Sequence, residues 1–192
     1  MSNLSAPIAA SASLRDGASI RLRTVGPEDR ACIARGFERL SAASRLSRFL
    51  MPMQRLDGPM LDYLTAIDGS RHLAVAACTA PACTDDVEPV GLARCVRLDG
   101  EPDVAEIAVT VMDPWQRRGV APVLVSQLAR WADAVAIRKF RALFGYDNRA
   151  ITRLIGGAGI ALVPDGSGML RADIEVPLIL KIGLRLAAPA SA

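Results

Sequence analysis

Apolar residues recur along this chain with periods of two and of about 3.6, and the switches between them predict its elements. Residues 18–25 alternate, with Ile20, Leu22 and Thr24 on one side, and predict a first strand. Gly26, Pro27, Glu28 and Asp29 then open a helix. Proline suits a first turn, and the two acids suit the positive end of the helix dipole. Cys32, Ile33, Phe37 and Leu40 give that helix an apolar face. Ser41 is a candidate cap for a second helix carrying Ser44, Arg45, Arg48 and Phe49. A short helix is expected over 60–67. Residues 72–79 and 90–98 read as two strands, joined by a polar hairpin loop over 80–88. Residues 104–112 form a β-branched strand. The longest amphipathic stretch, 120–135, has Val120, Val123, Leu124, Leu128, Trp131 and Val135 as its stripe. A strand over 140–144 follows, and then a helix opened by Asp147 or Asn148 and stopped by Gly156-Gly157 or Gly159. Closing strands are expected over 160–163 and 174–180. The order is β-α-α-β-β-β-α-β-α-β-β, an α/β (α+β) arrangement with a mixed sheet and helices on its faces.

The chain has 192 residues and no internal repeat, which fits one domain over 15–186 between disordered tails at 1–14 and 187–192. That length can bury a core without staples. Basic residues number 23 and acidic ones 20, a net +3 too balanced to indicate nucleic-acid binding from charge. The four cysteines make no C-x-x-C pair and His72 is the one histidine, so no metal site is expected. They read as four reduced thiols in a cytosolic protein. No apolar run approaches the ~20 residues of a membrane-spanning helix, and the first residues lack the basic and apolar regions of a signal peptide. A cytoplasmic protein that does not bind membranes is expected, as a monomer or homodimer.

One junction concentrates chemistry. It reads Val109-Thr110-Val111-Met112-Asp113-Pro114-Trp115-Gln116-Arg117-Arg118-Gly119-Val120-Ala121-Pro122: a strand, a loop with a glycine, and a long helix. Amides at a helix start have no internal acceptor and sit at the positive end of the dipole, which together make an anion site. Gly119 permits close backbone approach, and Arg117 and Arg118 add positive charge. A pyrophosphate is the natural ligand, and an ordinary turn with two solvated arginines is the bland alternative. The loop has neither the Gly-Lys-Ser/Thr of a P-loop nor the three glycines of a dinucleotide fingerprint.

The same residues resemble a family. Gln116-x-x-Gly119-x-Ala121 is similar to the Q/R-x-x-G-x-G/A signature of the GNAT N-acetyltransferases, and Val109-x-Val111 looks like that family's pantetheine strand. Asn148-x-x-Ile151-x-x-Leu154, with Gly159-Ile160 beyond, resembles its second cofactor motif. The resemblance covers about residues 18–180 and implies a mostly antiparallel GNAT sheet with helices on both faces. Four further segments resemble the bacterial Pat-type protein lysine acetyltransferases. They are Leu14-Arg15-Asp16-Gly17, Leu40-Ser41-x-x-Ser44-Arg45-x-x-Arg48-Phe49, Asp68-x-x-Arg71-His72 and Ala105-Glu106-Ile107-Ala108. Those enzymes carry an added regulatory or synthetase-like domain, and on the length of 192 residues none is expected here.

The resemblance implies acetyl-CoA as cosubstrate and a primary amine, by preference a protein lysine, as acceptor, joined by direct attack in a ternary complex. Val109, Val111, Gln116, Arg117, Arg118, Gly119, Val120, Ala121 and Asn148 are the implied cofactor contacts. A small amine remains an alternative acceptor, and a silent acyl-CoA-binding module an alternative function. Glu106 is the candidate base, flanked by Ala105, Ile107 and Ala108 and expected to be partly buried, the setting that makes a carboxylate a useful base. Strand alternation turns Glu106 away from Val109 and Val111, and a β-bulge near Ala108 would reconcile them. A backbone N–H at or near Val109 is the candidate oxyanion donor. Ile155 stands where many family members carry a tyrosine acid, and Tyr146 reads as a core or rim residue. Asn148 can cap its helix or hold the pantetheine arm. His72 reads as structural, and Arg45 and Arg48 either favour acidic surroundings at the acceptor or form a solvated face.

Overall fold

The computed structural model describes residues 9–79 and 87–186. Eight strands form one sheet in the order β1-β2-β3-β4-β5-β6-β8-β7. They are β1 (Ala9–Ser13), β2 (Ser19–Thr24), β3 (His72–Cys78), β4 (Pro89–Leu98), β5 (Glu101–Val111), β6 (Lys139–Gly145), β7 (Val163–Pro164) and β8 (Met169–Glu175). Every neighbouring pair is antiparallel except β5 with β6. That parallel pair needs a crossover, supplied by α4 (Val120–Ala134).

Helices cover both faces. Ile20 and Leu22 of β2, Leu73 and Val75 of β3, and Phe140 of β6 share a buried cluster with Leu124 and Leu128 of α4 and Val176 of α6 (Val176–Leu186). Leu124 and Leu128 are fully enclosed, so truncating either to alanine would cost ~2–5 kcal/mol. The strand period of two sends Ala74, Ala76 and Cys78 of β3 to the other face, where Ile33 of α1 (Arg30–Arg39) packs on the same cluster. α2 (Ala42–Phe49) and α3 (Gly58–Thr65) complete that layer. α5 (Arg149–Gly157) packs Ile155 against Phe144, Leu170 and Ala172.

Four expectations are corrected. Residues 9–13 are not a disordered tail but strand β1, paired with β2 from Ala9↔Arg23 to Ser13↔Ser19. Their run of alanine and serine carries almost no apolar contrast for a periodicity to show. The last expected strand divides at Glu175, and Val176–Leu186 is a helix, because Val176, Ile179 and Leu180 follow helical spacing onto the core beside α4. The strand expected over 160–163 shrinks to Val163–Pro164. Cys78 and Cys95 are free and buried, whereas Cys32 is disulfide-bonded, against the expected reduced state. Cys83, most of the expected 80–88 loop and the expected tails at 1–8 and 187–192 lie outside the described residues. Among the described residues no helix is long and apolar enough to cross a membrane, and no three His, Cys, Asp or Glu side chains group as metal ligands.

Candidate active site

The parallel pairing of β5 and β6 runs from Val104↔Lys139 to Ile107↔Ala142 and stops. β5 continues to Val111 along β4, and β6 continues to Gly145 along β8. The two strands therefore splay apart over their last few residues and leave a wedge between backbones. Met112 N–H donates to the Val90 carbonyl at 3.0 Å, which makes these two a hydrogen-bonded pair. Counting back in twos, Thr110, Ala108 and Glu106 also turn their backbone groups toward β4, and Val109 and Val111 turn theirs into the wedge. The register from Gly91↔Val111 to Arg97↔Ala105 is unbroken, so the expected bulge near Ala108 is absent. None is needed. Side chains leave a strand through its faces, but its amides and carbonyls leave in the sheet plane. Val109 and Val111 can line the wedge by backbone while their side chains pack against the α4 core and Glu106 projects on the opposite face.

Beyond β5, Asp113–Trp115 form a 3₁₀ turn, and Gly119 caps α4 with φ of +95° and no side-chain cap. A glycine reaches this left-handed region without strain. Arg117 adopts φ of +61° just before it. The amides of residues 117–121 thus gather at the start of a 15-residue helix. Gln116 is not free. Its Nε2 donates to the Val111 carbonyl (3.2 Å), Ser44 Oγ (3.2 Å) and Asp113 Oδ1 (3.3 Å). Arg118 pairs with Asp16 and lies over the Trp115 ring at 4.1 Å, and that pairing holds the Asp16 carboxyl below the ordinary range. Arg117 is exposed, Gly119 and Ala121 are partly so, and Val120 points into the core. Asn148 Oδ1 accepts the Ile151 amide at 3.2 Å, so it caps α5, and its Nδ2 donates to Ser47 Oγ at 3.0 Å.

The other half of the site lies on the α1–α3 face of the sheet. Glu106 is exposed there, not partly buried, and its cross-strand neighbours are Val96 and Arg141. Arg94, 4% exposed on β4, lies one pair along, opposite Ala108. Its guanidinium stacks over Tyr63 at 4.6 Å and donates to His72 Nε2 at 2.5 Å. A guanidinium only donates, so His72 accepts at Nε2, and its Nδ1–H serves the Ala66 carbonyl. Burial, with Arg94 beside it, pushes the His72 pKa down to about 4, which leaves the ring neutral. The structural reading of His72 stands. Burial also lowers Arg94. Arg48 of α2 is lowered to about 10 by burial and by Arg94, against the opposite pull of Glu106 and Tyr63. Two guanidiniums therefore share the field of one exposed carboxylate.

Arg45 turns away from this cluster. It donates to the carbonyls of Leu40 (3.0 Å), Glu38 (2.8 Å) and Gln54 (3.3 Å) and stacks on Phe37, tying α2 to α1. Ile155 is buried under α5, and Tyr146 stands 54% exposed on the turn after β6, a rim residue and not a core one. Reading the sequence missed Arg94, Tyr63 and Asp113. Arg94 had left a signal, a lone charge in the otherwise apolar stretch from Val90 to Val96. Tyr63 and Asp113 had left none.

A wedge between splayed parallel strands, beside a helix-start amide cluster, is a place for a long thin ligand with an anionic middle. Residues 34–165 match the Acetyltransferase (GNAT) family, and the chain belongs to that family. It is 27% identical over 167 residues to the Acetyltransferase Pat of Mycolicibacterium smegmatis, covering 85% of this chain and 48% of that protein. The chain spans about half the length of that curated relative. The crystal structure of the GNAT domain of S. lividans PAT matches with a TM-score of 0.77 at 27% identity, over 87% of this chain and 96% of that one. Spermidine N-acetyltransferase from Vibrio cholerae, solved with CoA and spermine, shares the fold at a TM-score of 0.62 and 14% identity, over 84% and 98% of the two chains.

Proposed function

We propose that this protein transfers an acetyl group from acetyl-CoA to a primary amine, a lysine on a protein partner, by direct attack in a ternary complex in the cytoplasm. The wedge supports the cosubstrate assignment. Its walls offer the backbone of Val109 and Val111 to an amide-bearing arm, and the amides of residues 117–121 lie at its mouth for a pyrophosphate. Gln116 and Asn148 serve that mouth by bracing it, given the partners they already hold. Arg118 contributes field from its place between Asp16 and Trp115, and Arg117 is the arginine exposed to meet phosphate directly.

When bound, acetyl-CoA supplies an activated acetyl group as a thioester. Glu106 takes a proton from the incoming ammonium, directly or through a water, and the freed amine is the nucleophile. The Val109 N–H, aimed into the wedge, is the donor for the carbonyl oxygen as charge develops. The balance is thioester plus ammonium to amide, thiolate and two protons, the first taken by Glu106 and the second, lost from nitrogen as the intermediate collapses, passed to water. With Ile155 buried, no side chain at that position protonates the departing sulfur. A thiol of pKa ~8.5 leaves adequately as thiolate.

The observation that favours a protein lysine is the charge around Glu106. Arg48 and Arg94 flank the one carboxylate, and two guanidiniums repel the second and third ammonium groups of a polyamine. A lysine side chain brings one ammonium. Exposed Leu46, Leu50, Met51 and Tyr63 on α2, α3 and the loop between them offer apolar surface that suits a folded partner. Similarity to Pat, named for M. smegmatis and S. lividans, points the same way. Labelled acetyl-CoA incubated with a panel of purified folded proteins, and separately with spermine, tests this. Label on protein lysines with none on spermine is expected, and rapid acetylation of spermine with no protein labelled would overturn it.

A further inference from the structure

Asp113 lies outside every expected binding position, yet it joins the two halves of the site. It is the first residue of the turn that carries β5 into the phosphate loop. Its carboxylate accepts the Ser41 amide (2.9 Å), Ser41 Oγ (2.9 Å) and Ser44 Oγ (2.7 Å), from residues 72 and 69 positions earlier. Gln116 Nε2 reaches the same carboxylate and the same serine. Burial alone would raise this carboxyl, but the serine donors outweigh it and hold it below the ordinary range.

Ser41 is also the N-cap of α2, accepting the Ser44 amide at 3.2 Å. Ser41, Ser44 and Arg48 are spaced by three and four residues and so share one face of the helix. The face that Asp113 grips also carries Arg48, which lies in the field of Glu106. α2 has no buried residue, and its apolar hold is Phe49 set edge-on against Phe37 at 5.5 Å, so polar contacts carry much of its placement. Toward its other end, Ser47 accepts from Asn148 on the turn after β6. The helix therefore runs from the turn after β5 to the turn after β6, across the open end of the wedge, pinned at both sides by polar contacts.

We propose that Asp113 is a positioning residue that couples the phosphate loop to α2, so that filling the wedge with the cofactor sets the placement of Arg48 on the acceptor side. The inference rests on the cofactor assignment above. Coupling of this kind is reciprocal: an acceptor that stabilises α2 must tighten cofactor binding by the factor by which cofactor tightens its own.

Amide hydrogen exchange on the intact protein, with and without saturating desulfo-coenzyme A, tests this without needing an acceptor. In the wild type the probe should slow exchange at residues 117–121 and, by about tenfold, in α2. In Asp113→Ala the loop should still be protected while α2 responds by less than about twofold. Ser44→Thr, which keeps the hydroxyl, should retain the α2 response. Ser44→Ala removes two contacts, to Asp113 and to Gln116, at a partly exposed position and replaces Asp113→Ala if that variant does not fold. A wild type protected at the loop and unchanged in α2 overturns the coupling and leaves the cofactor site standing. So does an Asp113→Ala protein whose α2 still responds fully. Protection at neither place overturns the cofactor assignment and this inference together.

Discussion

The two halves of the proposed site, for cofactor and for acceptor, are built from different materials. The cofactor half is mostly backbone: wedge-facing groups of Val109 and Val111, the amides of residues 117–121, and a glycine in a left-handed conformation. The acceptor half is side chains: Glu106, Arg48, Arg94, His72 and Tyr63, brought from α2, α3 and three strands. The turn and helix start within it follow from local sequence, and backbone groups survive most substitutions. A side-chain cluster exists only where packing assembles it, and each member can be replaced singly. One half should therefore tolerate change outside its glycine, and the other should respond sharply and specifically.

The largest effect is expected from Glu106→Gln. The amide keeps the size of the side chain but cannot take the ammonium proton, so kcat should fall ~10²–10⁴-fold with acetyl-CoA affinity nearly unchanged. Part of the rate should return at high pH, where the amine is already free. Steady-state kinetics from pH 7 to 10 check both points. A near wild-type kcat at pH 7, with chemistry rate-limiting, would move the base elsewhere and dissolve the division between the halves.

A smaller effect is expected from Gly119→Val, which strikes the cofactor half at its one sensitive position. A Cβ there meets only Arg15 Cγ at 3.8 Å, so room is not the obstacle. The obstacle is φ of +95°, which a β-branched residue resists, together with methyl groups placed where phosphate must approach. Acetyl-CoA affinity should drop at least tenfold, ~1.4 kcal/mol, by calorimetry on protein shown to be folded. Unchanged affinity would remove the loop from the site. By contrast Ala121→Gly, at an ordinary helical position, should change little.

The mildest effect concerns pH and separates structure from chemistry within the acceptor half. His72 has a folded pKa near 4, well below its unfolded value. Between about pH 6.5 and 4 the unfolded chain takes up a proton that the folded chain refuses, so stability falls as pH falls through that window. His72→Gln retains an acceptor for Arg94 and has no such titration. Its denaturation midpoint should vary less between pH 7 and 5 than that of the wild type. Equal slopes would mean that His72 does not sit neutral against Arg94.

The extent to which the sequence was legible follows the same division. Helical spacing from Val120 to Trp131, the Asn148 cap and the strand 104–112 all rest on contacts within a few residues, and the structure has them nearly where they were expected. β1 was missed because its alanines and serines show no apolar alternation, and it is a strand only because β2 offers it an edge. α6 was missed because Val176 to Leu180 is apolar throughout and hides its period, and the packing beside α4 decides where strand yields to helix. In the site, Glu106 was visible as a charge in an apolar strand, but its exposure depends on what α1–α3 leave uncovered. Arg45 and Arg48 look alike in sequence. They lie three residues apart on one side of the helix, yet one spends its guanidinium on the carbonyls of Glu38 and Leu40 and the other lies in the field of Glu106, and only the docking of that helix decides which partners each reaches.

By itself, then, the sequence determined what propensity, capping and period can specify: most element types, the amide cluster at the start of α4, and the glycine before it. Tertiary structure decided what depends on separations of tens of residues. The parting of β5 from β6, the grip of Asp113 on Ser41 and Ser44, and the contact of Arg94 with His72 are of that kind. Each joins groups whose nearness costs chain entropy that no local interaction repays, so each exists only once the sheet has closed around it.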